Sequence, residues 1–488
     1  MLIIAFFNGF VNLKDVKSGK GDVMAKIQSY GATEVVTGSC HVLQLKDGSH
    51  IMIDCVMFQG RAEDRNLEPF GFDPAQIDIL LITHGHLDHV GRIPKLVKEG
   101  FRGEIITLRS TMDLAEVVLL DSAKLMDIDY QTRSRKAQRR GEEASIRPPL
   151  YTLEDVNAVY QLPMQFVHYE EKLALKNGLS VVFKNAGHIL DSAIIQISFE
   201  ENGLEKTVVF SGDLGNNNDI VMPNPQTFDE ANVLYVESTY GDRNHKGIQE
   251  SLVEFKSIII ETLEKDGNVV IPSFAIDRAQ EILCTLKQMY DDGELPECKI
   301  YLDSPMAIRA TELYNTYHDE LSKHCQDNLV RDGPVFGFPY LHYTLEAEES
   351  MKINDDTSRC IIIAGSGMCN GGRVLHHFKH RLWNEKNALI IVGYQAQGTL
   401  GRLLVDGAKE IKVYGEEVCI KASVHTINGF SAHADQKELI HWIKAFKKLD
   451  KIFLVHGERE KQEIFQKAIE AQLGKKSHIV KAGEVIGV

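Results

Sequence analysis

Ile79-Leu80-Leu81-Ile82-Thr83-His84-Gly85-His86-Leu87-Asp88-His89 is the stretch from which the fold is read. Its first part is short, apolar and β-branched, and Gly85 follows it. Residues Ile77 to Thr83 therefore read as an interior strand opening into a loop. The loop gathers imidazoles and a carboxylate, the ligands that a borderline cation such as Zn²⁺ prefers. In an extended turn His84 and His86 point one way. Asp88 and His89 come from the start of the next helix and face a second point, so two cations are easier to satisfy than one. The bland reading is a polar loop with surface histidines, but crowding titratable rings at a strand end is costly without a cation.

The 488 residues are 43% hydrophobic and 25% charged, ordinary globular composition with room for two or three domains. No apolar run approaches the roughly 20 residues that span a bilayer, so the chain is expected in the cytoplasm, without a membrane partner. Cys40, Cys55, Cys284, Cys298, Cys325, Cys360, Cys369 and Cys419 include no Cys-x-x-Cys pair and read as reduced structural thiols. A net charge of −15 argues against a broad, sequence-blind polyanion binder. Nucleic acid remains a fitting substrate where cations are concentrated locally and bound metals add charge.

Residues 1–23 fit poorly with the rest of the chain. Leu2 to Phe7 is too short for a signal-peptide core. Lys20-Gly21-Asp22-Val23-Met24 can be encoded by a ribosome-binding sequence ahead of a start codon, so the native start is expected at Met24 and the leader is read as non-native.

From Thr33 to Asp54 alternation broken by the Asp47-Gly48 turn predicts paired strands. Gly91 to Lys98 reads as a helix held close to the sheet by Gly91. A long helix is predicted over Thr111 to Tyr130. After it, Arg133 to Arg140 holds five cations in eight residues, either a solvated face or a phosphate-contacting edge. Thr152 and Asp155 form a plausible capping box. Strands over Gly178–Asn185, Ala193–Phe199 and Lys206–Ser211 lead to His188 and Asp213, and another buried strand ends in Glu237. From Gly247 to about Leu400 helices and strands alternate as in a parallel, doubly wound sheet, with an irregular excursion between Gln326 and Thr357. Beyond Gly401 a strand pair, Lys409 to Tyr414 and Val418 to Thr426, precedes Ser431-Ala432-His433-Ala434-Asp435. A helix comes next, and then a strand ending in His456.

The His-x-His-x-Asp-His loop resembles the signature of the metallo-β-lactamase superfamily. Together with Glu237, Ser431 to Asp435 and Leu454-Val455-His456-Gly457-Glu458 it resembles the β-CASP nucleases. The likeness is to bacterial and archaeal relatives of the pre-mRNA 3′-end cleavage nuclease. Asp303-Ser304-Pro305-Met306, Gly365 to Arg373 and Gly393 to Gly401 look like blocks of that family's inserted domain. The resemblance implies an α/β fold, an αββα sandwich over 24–241 and 404–488 with a doubly wound α/β insertion over 242–403. It implies two Zn²⁺ per chain, His84, His86 and His188 holding one and Asp88, His89 and His456 the other, with Asp213 bridging. Asp54 would orient the ligand loop by hydrogen bonding. Asp88, Glu237 and His433 are the implied catalytic residues, His433 as the general acid held by Glu237. The family usually has glycine where this chain has Asp191, which makes the turn after His188 a departure. Read physically, Ser366, Gly367, Met368, Gly371, Gly372 and Arg373 lie between a strand and a helix, where backbone N–H groups can meet a phosphate.

In DNA-directed members the position matching His456 is typically not histidine, so the chain is expected to act on single-stranded RNA, as an endo- and/or 5′–3′ exoribonuclease. A metal-bridging hydroxide would leave 5′-phosphate and 3′-hydroxyl ends. The sequence is compatible with a homodimer. A small-molecule hydrolase of glyoxalase or lactonase type is the alternative, and it gives the insertion no role.

Overall fold

A computed structural model describes residues 24–141, 146–217, 219–332, 334–427 and 429–488. The leader expected to be non-native, residues 1–23, lies outside the described residues.

Two seven-stranded sheets pack face to face. The first runs Val485–Gly487, Lys26–Ser29, His41–Gln44, His50–Ile53, Ile79–Leu81, Glu104–Thr107 and Met164–Phe166 across its width. The second runs Ser477–Ile479, Lys448–Leu454, Glu230–Val236, Leu204–Phe210, Ala193–Glu201, Ser180–Asn185 and Lys172–Ala174. Alternate residues of both meet between the sheets: Ile27, Leu43, Ile51 and Ile53 from one, Phe183, Ile195, Val208 and Val233 from the other. Each such side chain fully withdrawn from water contributes about 1.5–3 kcal/mol. The first sheet's outer face is covered by helices, among them Ile93–Lys98, Arg109–Gln138 and Leu153–Val159. Gln436–Lys444 and Arg459–Leu473 cover the second. This is the expected αββα sandwich.

The third sheet has six parallel strands in the order Leu341–Tyr343, Lys299–Asp303, Cys360–Ala364, Val269–Pro272, Ala388–Val392 and Ser423–Ile427. Its central strands carry no alternation because both faces are buried. Helices Ile248–Glu264, Arg278–Asp291 and Pro305–Thr316 pack on one face, and Val374–Arg381 and Leu400–Val405 on the other. The first of these cores also takes in Leu114, Ile189 and Val221 of the sandwich, which joins the two parts through apolar contact.

Three local expectations are corrected. The strand pair expected after Gly401 divides: Glu410–Val413 pairs with Glu416–Cys419 as a separate hairpin, whereas Ser423–Ile427 joins the edge of the six-stranded sheet. The chain thus still contributes to that sheet well past residue 404. The long helix runs over Arg109–Gln138 and continues through Arg133, Arg135 and Lys136 instead of ending before them. The excursion between Gln326 and Thr357 contains an edge strand, Leu341–Tyr343, and a helix, Ala347–Asp355. The capping box at Thr152 and Asp155 forms as read.

Candidate active site

The expected site residues leave the C-terminal ends of strands from all three sheets. His84, His86, Asp88 and His89 follow Ile79–Leu81. His188 follows Ser180–Asn185, Asp213 follows Leu204–Phe210, Glu237 follows Glu230–Val236 and His456 follows Lys448–Leu454. His433 comes after Ser423–Ile427 of the six-stranded sheet. Strand ends are where backbone pairing stops and side chains are free to converge on a ligand.

These residues meet as two groups. His84, His86, His188 and Asp213 form one, Asp88, His89 and His456 the other, and within each group the candidate ligand atoms lie within 4.8 Å of one another. One carboxylate stands between them. Asp213 Oδ2 is 3.6 Å from His84 Nε2, 3.7 Å from His188 Nε2 and 3.4 Å from His89 Nε2, while Oδ1 is 3.6 Å from His456 Nδ1. His456 Nε2 lies 3.4 Å from Asp88 Oδ2. The donor set suits a cation, and so does its lack of internal partners. His84 Nε2, His89 Nε2, His456 Nε2 and Asp213 Oδ1 are buried without a hydrogen-bond partner, an arrangement that a protein tolerates where an ion completes it.

The electrostatics hold Asp213, Asp88 and His84 in the form a cation needs; burial would lower the His89 ring, but Asp213, Asp54 and Asp88 lift it well above its ordinary value, a proton that a bound cation would displace. Burial would raise the Asp213 carboxyl, but His456 and His89 hold it well below the usual range. Asp88, raised by burial and pulled down by His89 and His456, is held at about 2. Burial, with the neighbouring His89, keeps the His84 ring well below its ordinary value and therefore neutral. A metal-binding centre requires ionised carboxylates and neutral rings of this kind.

A layer of hydrogen bonds behind the loop fixes the rings. Asp54 accepts from His89 Nδ1 at 2.7 Å and from the Thr83 amide at 2.8 Å. Thr83 Oγ1 also donates to Asp54 and lies 3.1 Å from His84 Nδ1. His188 Nδ1 donates to the Ala432 carbonyl at 2.7 Å, which leaves Nε2 as the lone-pair nitrogen facing Asp213. Thr239 Oγ1 lies 3.1 Å from His456 Nδ1. Asp54 and His456 both hold positive φ, 58° and 49°, a strained backbone that the surrounding bonds sustain. Thr83 and Thr239 were not singled out from sequence. Thr83 sits inside the decisive stretch, but a threonine ending a strand carries no signal of its own.

His433 and Glu237 also come together. His433 Nδ1 is 3.2 Å from Glu237 Oε1, and the wholly buried Glu237 accepts from the Leu214 and Thr239 amides at 2.8 and 3.1 Å. The His433 ring lies 4.5 Å from that of His188 and 6.2 Å from that of His456. Burial would lower the His433 imidazole, but Glu237, with Asp213 and Asp88 beyond it, lifts it to about 9. The raised value favours the protonated ring at neutral pH.

In the glycine-rich segment two of the residues expected to meet a phosphate, Ser366 and Arg373, are engaged within the protein. The Ser366 amide and hydroxyl both donate to the Gly371 carbonyl, at 3.2 and 3.3 Å. Arg373 donates to Asp303 Oδ1 at 2.8 Å and to the Thr344 and Leu345 carbonyls at 2.7 Å each. These donors, expected on a phosphate, are occupied within the protein. Gly367 carries the ring of Phe274, and a Cβ at Gly372 would strike the Gly365 carbonyl. Gly371 has open space around it. Met368 accepts at Sδ from the Ala396 amide at 3.5 Å. At Asp191, φ is 52°, in the left-handed region that favours glycine, so the departure from glycine in the turn after His188 falls at a position where glycine has a physical advantage.

Comparison with known proteins places this geometry among relatives. Family models match in chain order: the metallo-β-lactamase superfamily over residues 33–106, the β-CASP domain over 279–404, and a Zn-dependent metallo-hydrolase RNA specificity domain over 417–480. A ribonuclease of Thermus thermophilus is 40% identical over 95% of this chain and 100% of its own length. An RNase J-like protein of Methanocaldococcus jannaschii is 33% identical over 89% of this chain and 93% of its own. The transcription termination factor FttA of the same organism is 31% identical over 94% of this chain and 71% of its own. A solved structure of a protein of unknown function from Enterococcus faecalis shares the fold, with TM-score 0.54 at 11% identity, over 96% of this chain and 100% of that one. No helix among the described residues is long and apolar enough to cross a membrane.

Proposed function

The chain belongs to the β-CASP ribonuclease branch of the metallo-β-lactamase superfamily and is a metal-dependent ribonuclease; from this premise we propose that it hydrolyses single-stranded RNA with two Zn²⁺ and leaves 5′-phosphate and 3′-hydroxyl ends. The observation that supports the reading is the His433–Glu237 pair, 3.2 Å apart, with the His433 ring 4.5 Å from that of His188 in one candidate ligand group.

His84, His86 and His188 would hold one cation and Asp88, His89 and His456 the other, with Asp213 shared. Bound there, the cations supply Lewis acidity toward the phosphate oxygens and activate water at neutral pH. The protein's own groups do the rest. Asp54 and Thr83 hold the loop rings at the angles their ligand role requires. His433 gives its Nε2 proton to the departing 3′-oxygen, and Glu237 keeps the ring charged and oriented through Nδ1. An acid so placed contributes about 10²–10⁴-fold. The 2′-hydroxyl takes no part as nucleophile.

The test is cleavage of a 5′-labelled unstructured RNA by zinc-loaded protein, beside DNA of the same sequence and a His433→Ala control. Fragments from RNA alone, ending in 3′-hydroxyl and greatly slowed in the control, are expected. Cyclic-phosphate ends, or DNA cut as fast as RNA, would overturn the scheme.

A further inference from the structure

The loops leaving the C-terminal edge of the six-stranded sheet stand in a row set by strand order. Cys360–Ala364 leads to Gly367, its neighbour Val269–Pro272 to Phe274, the next strand Ala388–Val392 to Tyr394, and the edge strand Ser423–Ile427 to His433. Neighbouring strands are about 4.8 Å apart, so the loop carrying Tyr394 leaves one strand, and that carrying Phe274 two strands, from the strand that leads to His433.

Both rings face water. Phe274 is 46% and Tyr394 45% exposed, although each follows a strand whose residues are buried throughout. Both are held on tied loops. The Phe274 ring lies on Gly367 so closely that a Cβ there would come within 2.8 Å of Cδ2, which is why no side chain fits at 367. The Gly367 carbonyl in turn accepts from Gln395 Nε2 at 2.9 Å, one residue from Tyr394. Lys461 Nζ stands 5.9 Å from the centre of the Tyr394 ring. Toward the site, Arg243 stands 5.9 Å from the Tyr240 ring, itself 6.1 Å from His433. The cations are neutralised by neighbours, Arg243 by Asp242 at 2.9 Å and Lys461 by Glu458 at 3.0 Å. With its charge balanced, the row offers ring faces more than phosphate clamps, and ring faces in a polymer-cutting site meet bases.

We propose that Phe274 and Tyr394 form a stacking platform for the unpaired bases beside the scissile phosphate, so that the strand is gripped by its bases on this edge. The platform rests on the ribonuclease reading. Every base has a π-face, so the platform holds any sequence, provided the bases are unstacked. A duplex, whose bases are occupied with each other, is disfavoured.

The experiment uses the full chain with His433→Ala, which keeps the strand intact, and a short unstructured RNA carrying 2-aminopurine at successive positions. Quenching confined to one or two positions is expected on binding. Tyr394→Ala should abolish it at one of them and weaken binding roughly 5- to 150-fold, whereas Tyr394→Phe retains both. An abasic nucleotide at that position should weaken the parent by the same factor and the Tyr394→Ala protein no further. Thermal unfolding should be unchanged, because the ring is half open to solvent. Tyr394→Ala and Phe274→Ala proteins that bind with undiminished affinity and the same quenching would overturn the platform. If they do so while the protein with His433 intact still cuts RNA, the platform alone fails. If the metal-loaded chain neither binds nor cuts RNA, the ribonuclease reading fails with it.

Discussion

Replacing Glu237 by Gln isolates the charge behind His433, the proposed general acid. The carboxylate oxygen is 3.2 Å from His433 Nδ1, and the His433 side chain is 22% exposed. A unit pair at that separation is worth about 5 kcal/mol at an effective dielectric of about 20, an upper limit because Asp213 and Asp88 share the work of lifting the ring. A nearby opposite charge typically moves a pKa by about 1–3 units, and a fall of about 2 from the value of about 9 is taken here. A raised pKa means that the protonated ring persists as pH rises toward 9 and is lost above it. At pH 8 about nine in ten rings then carry the proton in the parent protein and about one in ten in Glu237→Gln. At pH 6 about nine in ten or more do so in both. The expected outcome is a kcat/KM about tenfold lower at pH 8 and nearly equal at pH 6, read from a pH–rate profile of RNA cleavage. Cations in the site weaken the pull of Asp88 and Asp213 in both proteins alike, so the displacement of the alkaline limb is the quantity to compare. A substrate whose leaving 3′-oxygen is replaced by sulfur needs little protonation and should show almost no difference between the two. A loss uniform across pH, or a limb that stays in place, would refute the dyad.

Removing the support of a ligand should act on metal binding. Asp54→Ala, which strips the acceptor from His89 Nδ1, is expected to weaken cation affinity about 10–100-fold by chelator competition. Arg373→Ala should act on stability: with its bonds to Asp303 and two carbonyls gone, unfolding in urea should show a loss of about 1–3 kcal/mol. RNA affinity of its folded fraction should stay at the parent level, and a fall in affinity without a fall in stability would return Arg373 to the phosphate. Gly215→Ala places a Cβ on the Gly187 carbonyl, one residue before His188. It is expected to lose about 1–3 kcal/mol of stability along with metal content measured by elemental analysis.

The ligand residues were legible because their chemistry is concentrated. His84 to His89 are crowded within one turn, whereas His188, Asp213 and His456 are ordinary strand-end residues that gain meaning only from following that loop. The first strands of the β-sandwich were legible through alternation, and the inserted sheet through its succession of helices and strands. The features hidden from sequence depend on contacts across long separations. Arg373 reads as a free cation after a glycine-rich turn until Asp303, 70 residues earlier, is found beside it. Ser423–Ile427 reads as half of a hairpin because its partner strand, Ala388–Val392, lies before the true hairpin. The exposure of Phe274 and Tyr394 could not be read either, since an aromatic residue after an apolar strand looks like more core.

The bond from His188 Nδ1 to the Ala432 carbonyl joins a side chain of the sandwich to the residue before the general acid. It couples two events that could otherwise occur separately. With that carbonyl in place, the His188 proton is parked on Nδ1 and Nε2 is ready for a cation; with it gone, either tautomer is open to the ring. Linkage is reciprocal, so whatever factor the seated loop adds to cation affinity, a bound cation must add to the seating of the loop. By this linkage an unloaded protein would hold the Ala432–His433 loop less firmly, and a protein with that loop displaced would hold its cations less firmly. On the proposed assignments, the cation site and the proton donor would thus be seated together through one carbonyl.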